Sequence, residues 1–115
     1  MATGLAPEEL REYFAGRLPD RLAEIEDACR AARDAGWTGQ PLRTFHRLAH
    51  SLAGSGATFG FPEVSELARG LEHLLMGIME DGSSPGEAEM REIEGFLAGL
   101  REISTAADET LRREP

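Results

Sequence analysis

The segment from Phe45 to Phe61, FHRLAHSLAGSGATFGF, decides how this chain is expected to fold. On a helix that turns about 100° per residue, its large apolar side chains form one stripe, and its small and polar side chains lie on the other side. The apolar stripe comprises Leu42, Phe45, Ala49, Leu52, Gly56 and Phe59. The other side comprises His46, His50, Ala53, Gly54 and Ala57. The pattern predicts an amphipathic helix that presents His50 to solvent, with no bulky neighbour one turn further on.

The same helical spacing continues after this segment, and strand signals are nearly absent. Valine and isoleucine are rare before position 90, and no stretch alternates apolar with polar residues over the length of a strand. The central helix is expected to begin at Pro41 and to end near Gly60. A further helix is expected from Pro62 to about Asp81, and a last one over 90–111. Short loops between amphipathic helices predict an all-α fold, an antiparallel up-and-down four-helix bundle.

The first part of the chain is expected to form two helices. Pro19 has no backbone N–H, and its ring clashes with the preceding turn, so it is predicted to break or kink a helix. The segment from Pro7 to Leu18 then becomes a short N-terminal capping helix across one end of the bundle. The first helix of the bundle itself runs from about Leu22 to Asp34.

Composition limits the fold and the partners. We expect a single domain over residues 1–115, with frayed ends at about 1–6 and 112–115. The formal net charge of -9 disfavours nucleic acid as a partner, because a phosphate polymer would be repelled. No apolar run is long enough to span a bilayer and the N-terminal residues lack a secretion signal, so we expect a cytoplasmic protein with no membrane partner. The single cysteine, Cys29, is expected to be a small buried apolar residue.

The common signatures of catalytic, metal and cofactor sites are not found in the sequence. There is no Walker-type phosphate loop, no nucleophile elbow, no zinc-protease motif and no pair of cysteines for a metal. The glycine-rich stretch 54–60 follows a helix face and has no lysine, which disfavours nucleotide binding. His46 and His50 have a spacing that can chelate a metal, with Glu72 as a third ligand, but such pairs are frequent by chance. We therefore expect no metal and no cofactor.

The run from His50 to Phe61, followed by ELARGLE at 66–72, resembles the histidine-containing phosphotransfer (Hpt) domain. It is most similar to the phosphotransfer domain at the front of chemotaxis histidine kinases. The family signature is a histidine, a leucine or isoleucine two residues on, then lysine and glycine, and a second glycine ten residues after the histidine. The chain matches it at His50, Leu52, Gly54 and Gly60. It departs from the signature at Ala53, where the family usually has lysine.

The resemblance implies a role for each site residue. His50 would accept the phosphoryl group, and Glu72 would orient its ring by accepting a hydrogen bond from one nitrogen. Clearance around the site would come from small residues: Ala53, Gly54, Ala57 and Gly60. Arg47 or Arg69 could supply the positive charge that the missing lysine would have given, although either side chain is also compatible with an ordinary solvated surface arginine.

These roles describe a phosphocarrier, not an enzyme. The protein would be a monomer that exchanges a phosphoryl group with a histidine kinase, with the receiver domain of a response regulator, or with both. Three alternatives stay open. The chain could be an Hpt-like module that binds a kinase or receiver without being phosphorylated, the front domain of a larger chemotaxis kinase, or a purely structural bundle.

Overall fold

The computed structural model describes residues 6–113, and all the regular structure within them is helical. Helix α1 spans Pro7–Asp34, α2 spans Gly39–Thr58, α3 spans Pro62–Asp81 and α4 spans Glu87–Arg113. The predicted all-α four-helix bundle is confirmed. None of these helices has a stretch of sufficient length and hydrophobicity to cross a lipid bilayer.

The four helices form a ring in which each helix contacts two others. Among the described residues, α2 packs on α1 and α3, and α4 packs on α3 and α1. The connections over residues 35–38, 59–61 and 82–86 are short, so successive helices run antiparallel. Because α2 lies between two neighbours, it buries a wider arc of its surface than a single apolar stripe.

The separate capping helix predicted for Pro7–Leu18 is wrong, because α1 continues through Pro19 without interruption. Pro19 is exposed, and the side chains around it are buried on one continuous stripe. That stripe comprises Phe14, Ala15, Leu18, Leu22 and Ile25. An interior proline costs about 3 kcal/mol, whereas full burial of each large apolar side chain contributes roughly 1.5–3 kcal/mol. Packing on both sides of Pro19 therefore keeps the two halves in one continuous helix.

The core contains the apolar side chains predicted for the central helix and an aromatic cluster at one end. Phe14 stacks on Phe59 with ring centroids 5.4 Å apart and lies 5.3 Å from Phe61. Cys29 is buried with the core residues of α1. Burial raises the pKa of its thiol, an effect that the nearby Arg33 and Arg30 partly oppose.

The ends of the elements differ slightly from the predicted ones. Helix α2 begins at Gly39, before Pro41, and its last residue is Thr58. The frayed ends predicted at 1–6 and 112–115 lie mostly outside the described residues. Of the described residues among them, Ala6 stands at the N-cap of α1, and residues 112 and 113 belong to α4. Fraying of these ends stays a prediction.

Candidate functional site

His50 and Glu72 meet across the groove between α2 and α3. The His50 side chain is 71% exposed, whereas that of Glu72 is 16% exposed. His50 Nδ1 lies 2.6 Å from Glu72 Oε2. With an ionised carboxylate, which can only accept, the donor of this contact is Nδ1–H, and in a neutral ring Nε2 then has a free lone pair. The site therefore combines an accessible imidazole with a largely buried carboxylate at hydrogen-bonding distance from its Nδ1.

The close approach of α2 and α3 brings these two short side chains within reach of each other. A Cβ atom at Gly56 would lie 2.9 Å from the backbone nitrogen of Ser65 and 3.1 Å from the carbonyl oxygen of Phe61. Only a residue without a side chain fits this contact. Two turns earlier along α2, the same packing places His50 opposite Glu72.

Two of the four predicted clearance residues lie on the exposed surface near His50. Gly54 is exposed one turn after His50, and a Cβ atom there would have no neighbour within 4 Å. Ala57 is exposed one turn further along. The surface beyond the imidazole is therefore free of large side chains from its own helix.

Of the other two predicted clearance residues, Ala53 is contradicted by its burial, and Gly60 is exposed just beyond the end of α2. Ala53 is 3% exposed and belongs to the core, because α2 is covered by α1 on one side and α3 on the other. Gly60 follows the end of α2 with φ +84°, a left-handed conformation that glycine adopts without strain. About 12 Å of helix separates His50 from the end of α2 at Thr58, and beyond that end the carbonyl oxygen of Gly60 accepts a hydrogen bond from Arg11 Nε at 3.1 Å.

Arg47 and Arg69 are both exposed, and neither forms a hydrogen bond or ion pair with another described residue. Their positions differ because α2 and α3 are antiparallel. Arg69 lies one turn before Glu72, toward the contact at Gly56, and thus at about the level of Ala53. Arg47 lies one turn before His50, in the opposite direction along the groove.

The structure adds His46, which the sequence placed in the region only as a metal-ligand candidate. Its side chain is 20% exposed, and its Nε2 lies 3.9 Å from Glu72 Oε2. This nitrogen is buried and has no hydrogen-bond partner among the described residues. The four-residue spacing between His46 and His50, which places both on one helix face, was the signal for it in the sequence.

Two further observations complete the surroundings of the site. Arg21 of α1 donates a hydrogen bond from Nη2 to Ser51 Oγ at 3.0 Å, next to His50 in sequence. Within residues 6–113, no group of three or more His, Cys, Asp or Glu side chains is arranged to hold a metal ion.

Comparison with known families agrees with this geometry. The family model described as Hpt domain matches residues 9–110. The chain belongs to the Hpt family. Neither the comparison with curated proteins nor that with solved structures gave a match. Hpt domains are phosphocarrier modules that interact with kinases and receiver domains, so membership supports a histidine phosphotransfer role in a phosphorelay.

Proposed function

We propose that the protein carries a phosphoryl group on His50, accepted from a histidine kinase or a phosphorylated receiver domain and passed to a receiver-domain aspartate. The observation that carries the proposal is the 2.6 Å contact between Nδ1 of an exposed imidazole and Oε2 of Glu72. This contact leaves Nε2 as the nucleophile. The signature residues His50, Leu52 and Gly54 lie together on the helix that presents this ring.

The transfer step needs no proton to leave the protein. In the direction from a receiver, Nε2 attacks the phosphorus of an aspartyl phosphate, an N–P bond forms, and the P–O bond to the carboxylate breaks. The proton on Nδ1 stays in place, so the phosphorylated ring carries a positive charge. Glu72 stabilises that charge by its negative charge and its hydrogen bond. In the reverse direction the same protonated ring is a good leaving group.

Positive charge for the phosphoryl oxygens is proposed to come from Arg69. Its position at about the level of Ala53 supports this assignment, since Ala53 stands where the family usually has lysine. Arg69 is three residues before Glu72 on α3, a spacing that puts the two residues on the same face of the helix. Arg47 is the second candidate, from the neighbouring turn of α2.

The partner is proposed to dock on the exposed surfaces of α2 and α3 around His50. Gly54 and Ala57 leave room there for a convex partner surface, and Met76 of α3 is 40% exposed and offers an apolar contact. A kinase or a receiver domain would bring the magnesium ion and the catalytic acids. The monomeric state and the cytoplasmic location stay predictions, as does the likeness to chemotaxis kinases.

The test is labelling by phosphorylated partners. The wild-type chain is incubated with a panel of autophosphorylated kinases and phosphorylated receivers. It should acquire a phosphate that is labile in acid and stable in alkali. His50→Gln should remove the label, and His73→Gln, at an exposed histidine next to Glu72, should keep it. Normal labelling of the His50→Gln variant contradicts the assignment.

A second candidate function is a regulatory module that binds a kinase or receiver without carrying phosphate. Ala53 in place of the lysine of the family signature is the observation that favours it. Under this alternative no partner labels the wild-type chain, and His50→Ala leaves the affinity for the partner unchanged. Labelling that depends on His50 excludes the alternative.

A further inference from the structure

The carboxylate that orients His50 has a second histidine beside it. His46 and His50 lie one turn apart on α2, and both face Glu72. The two imidazoles differ strongly in exposure, since His50 is 71% exposed and His46 only 20%. One ring is therefore open to a partner protein, and the other is enclosed at the helix interface.

The chemistry of the enclosed ring indicates what it does. His46 Nε2 is buried and has no hydrogen-bond partner within residues 6–113, and Glu72 Oε2 is an acceptor 3.9 Å away from it. That separation is too long for a hydrogen bond, but a shift of about 1 Å in either side chain makes one. A carboxylate oxygen has two lone pairs and can accept from both rings at once. The opposite tautomer would point the Nε2 lone pair of His46 at a negatively charged oxygen.

We propose that His46 is a positioning residue, which donates Nε2–H to Glu72 Oε2 and so holds the carboxylate against His50 Nδ1. The proposal rests on the phosphocarrier role of His50 and refines it. Glu72 has three rotatable side-chain torsions, and a single contact with an exposed ring fixes them poorly. A second donor from the buried side restricts the carboxylate to the position in which His50 keeps its proton on Nδ1.

The most direct test uses the unmodified protein with ¹⁵N-labelled histidine. Nitrogen chemical shifts at a pH where the rings are neutral should show His46 protonated on Nε2 and His50 protonated on Nδ1. A His46 ring protonated on Nδ1 alone overturns the proposal. This readout does not involve phosphate, so it stands even if no partner labels the protein, an outcome that would instead count against the proposed function.

Variants then test the consequence for His50. His46→Leu keeps an apolar side chain of similar size but has no donor. We expect a mixture of tautomers on His50 and labelling slower by roughly two- to tenfold, the range of one net hydrogen bond. His46→Gln has an amide donor and should restore the single tautomer and a rate within roughly twofold of wild type.

His73→Gln is the matched control, because His73 is exposed and follows Glu72 directly in sequence. It should change neither the His50 tautomer nor the labelling rate. A His46→Leu variant with wild-type tautomer and wild-type rate contradicts the proposal. If that variant does not fold, as judged by circular dichroism, the wild-type spectrum and the His46→Gln variant decide the question.

Discussion

The bundle joins its helix pairs in two different ways. Helices α2 and α3 approach so closely at Gly56 that a methyl group would meet the backbone of Ser65. The polar contact between these helices is made by two short side chains, His50 and Glu72. Their atoms can meet only where the helix axes are close.

Helices α1 and α4 are joined more loosely. Their polar contact is an ion pair in which the long side chain of Arg101 reaches Glu26. A cleft of about 440 Å³ lies between the first turns of α1 and the last turns of α4, lined by residues that include Glu12 and Leu111. The α2–α3 pair is thus packed tightly on the side of the bundle that holds His50 against Glu72, whereas the α1–α4 pair leaves open space.

The largest effect is expected from Gly56→Ala, which breaks the close approach of α2 and α3. The added methyl group must displace backbone atoms of α3, and such overpacking costs about 1–3 kcal/mol. Gly54→Ala is the matched control on the same helix, because its methyl group meets nothing. It should be neutral or stabilise the fold by up to about 1 kcal/mol through helix propensity. Urea denaturation measures both, and equal stabilities of the two variants would contradict this account of the α2–α3 contact.

A smaller effect is expected from Arg69→Ala, on the α2–α3 pair. Loss of an exposed positive charge near the phosphoryl group should slow labelling by roughly two- to fivefold. Arg101→Ala, on the α1–α4 pair, should leave the labelling rate unchanged. Rates are followed by quenched-flow labelling with one kinase or receiver. An effect of Arg47→Ala larger than that of Arg69→Ala would move the phosphate-binding charge to α2.

Much of the fold can be predicted from the local sequence. The errors in that prediction arise where tertiary packing decides the structure. The 3.6-residue spacing of apolar side chains is sufficient to identify α2, α3 and α4 near their observed bounds. Pro19 led to a wrong prediction. The free-energy cost of an interior proline can be assessed from one residue, whereas the burial of apolar side chains that offsets it depends on contacts with other helices. Ala53 misleads for a related reason, because a helical wheel cannot show that α2 has neighbours on two sides.

Some features of the site could likewise be predicted from the sequence, and others depend on how the helices pack. The family resemblance pointed to His50 and Glu72 as partners, and the structure puts their atoms at hydrogen-bonding distance. The end of α2 near Gly60 could be predicted from the sequence, because glycine readily adopts the left-handed backbone observed there. The enclosure of His46 depends on the register between α2 and α3, which no pattern within one helix specifies.

The central claim is that Glu72 holds the proton of His50 on Nδ1 and thereby makes Nε2 the nitrogen that carries phosphate. The direct measurement is phosphorus and nitrogen NMR of the ¹⁵N-histidine-labelled protein after phosphorylation by a receiver, a kinase or phosphoramidate. We expect a single phosphohistidine at His50, with phosphorus coupled to Nε2 and the proton retained on Nδ1. Phosphorus on Nδ1 of His50, or on a different residue, would contradict it.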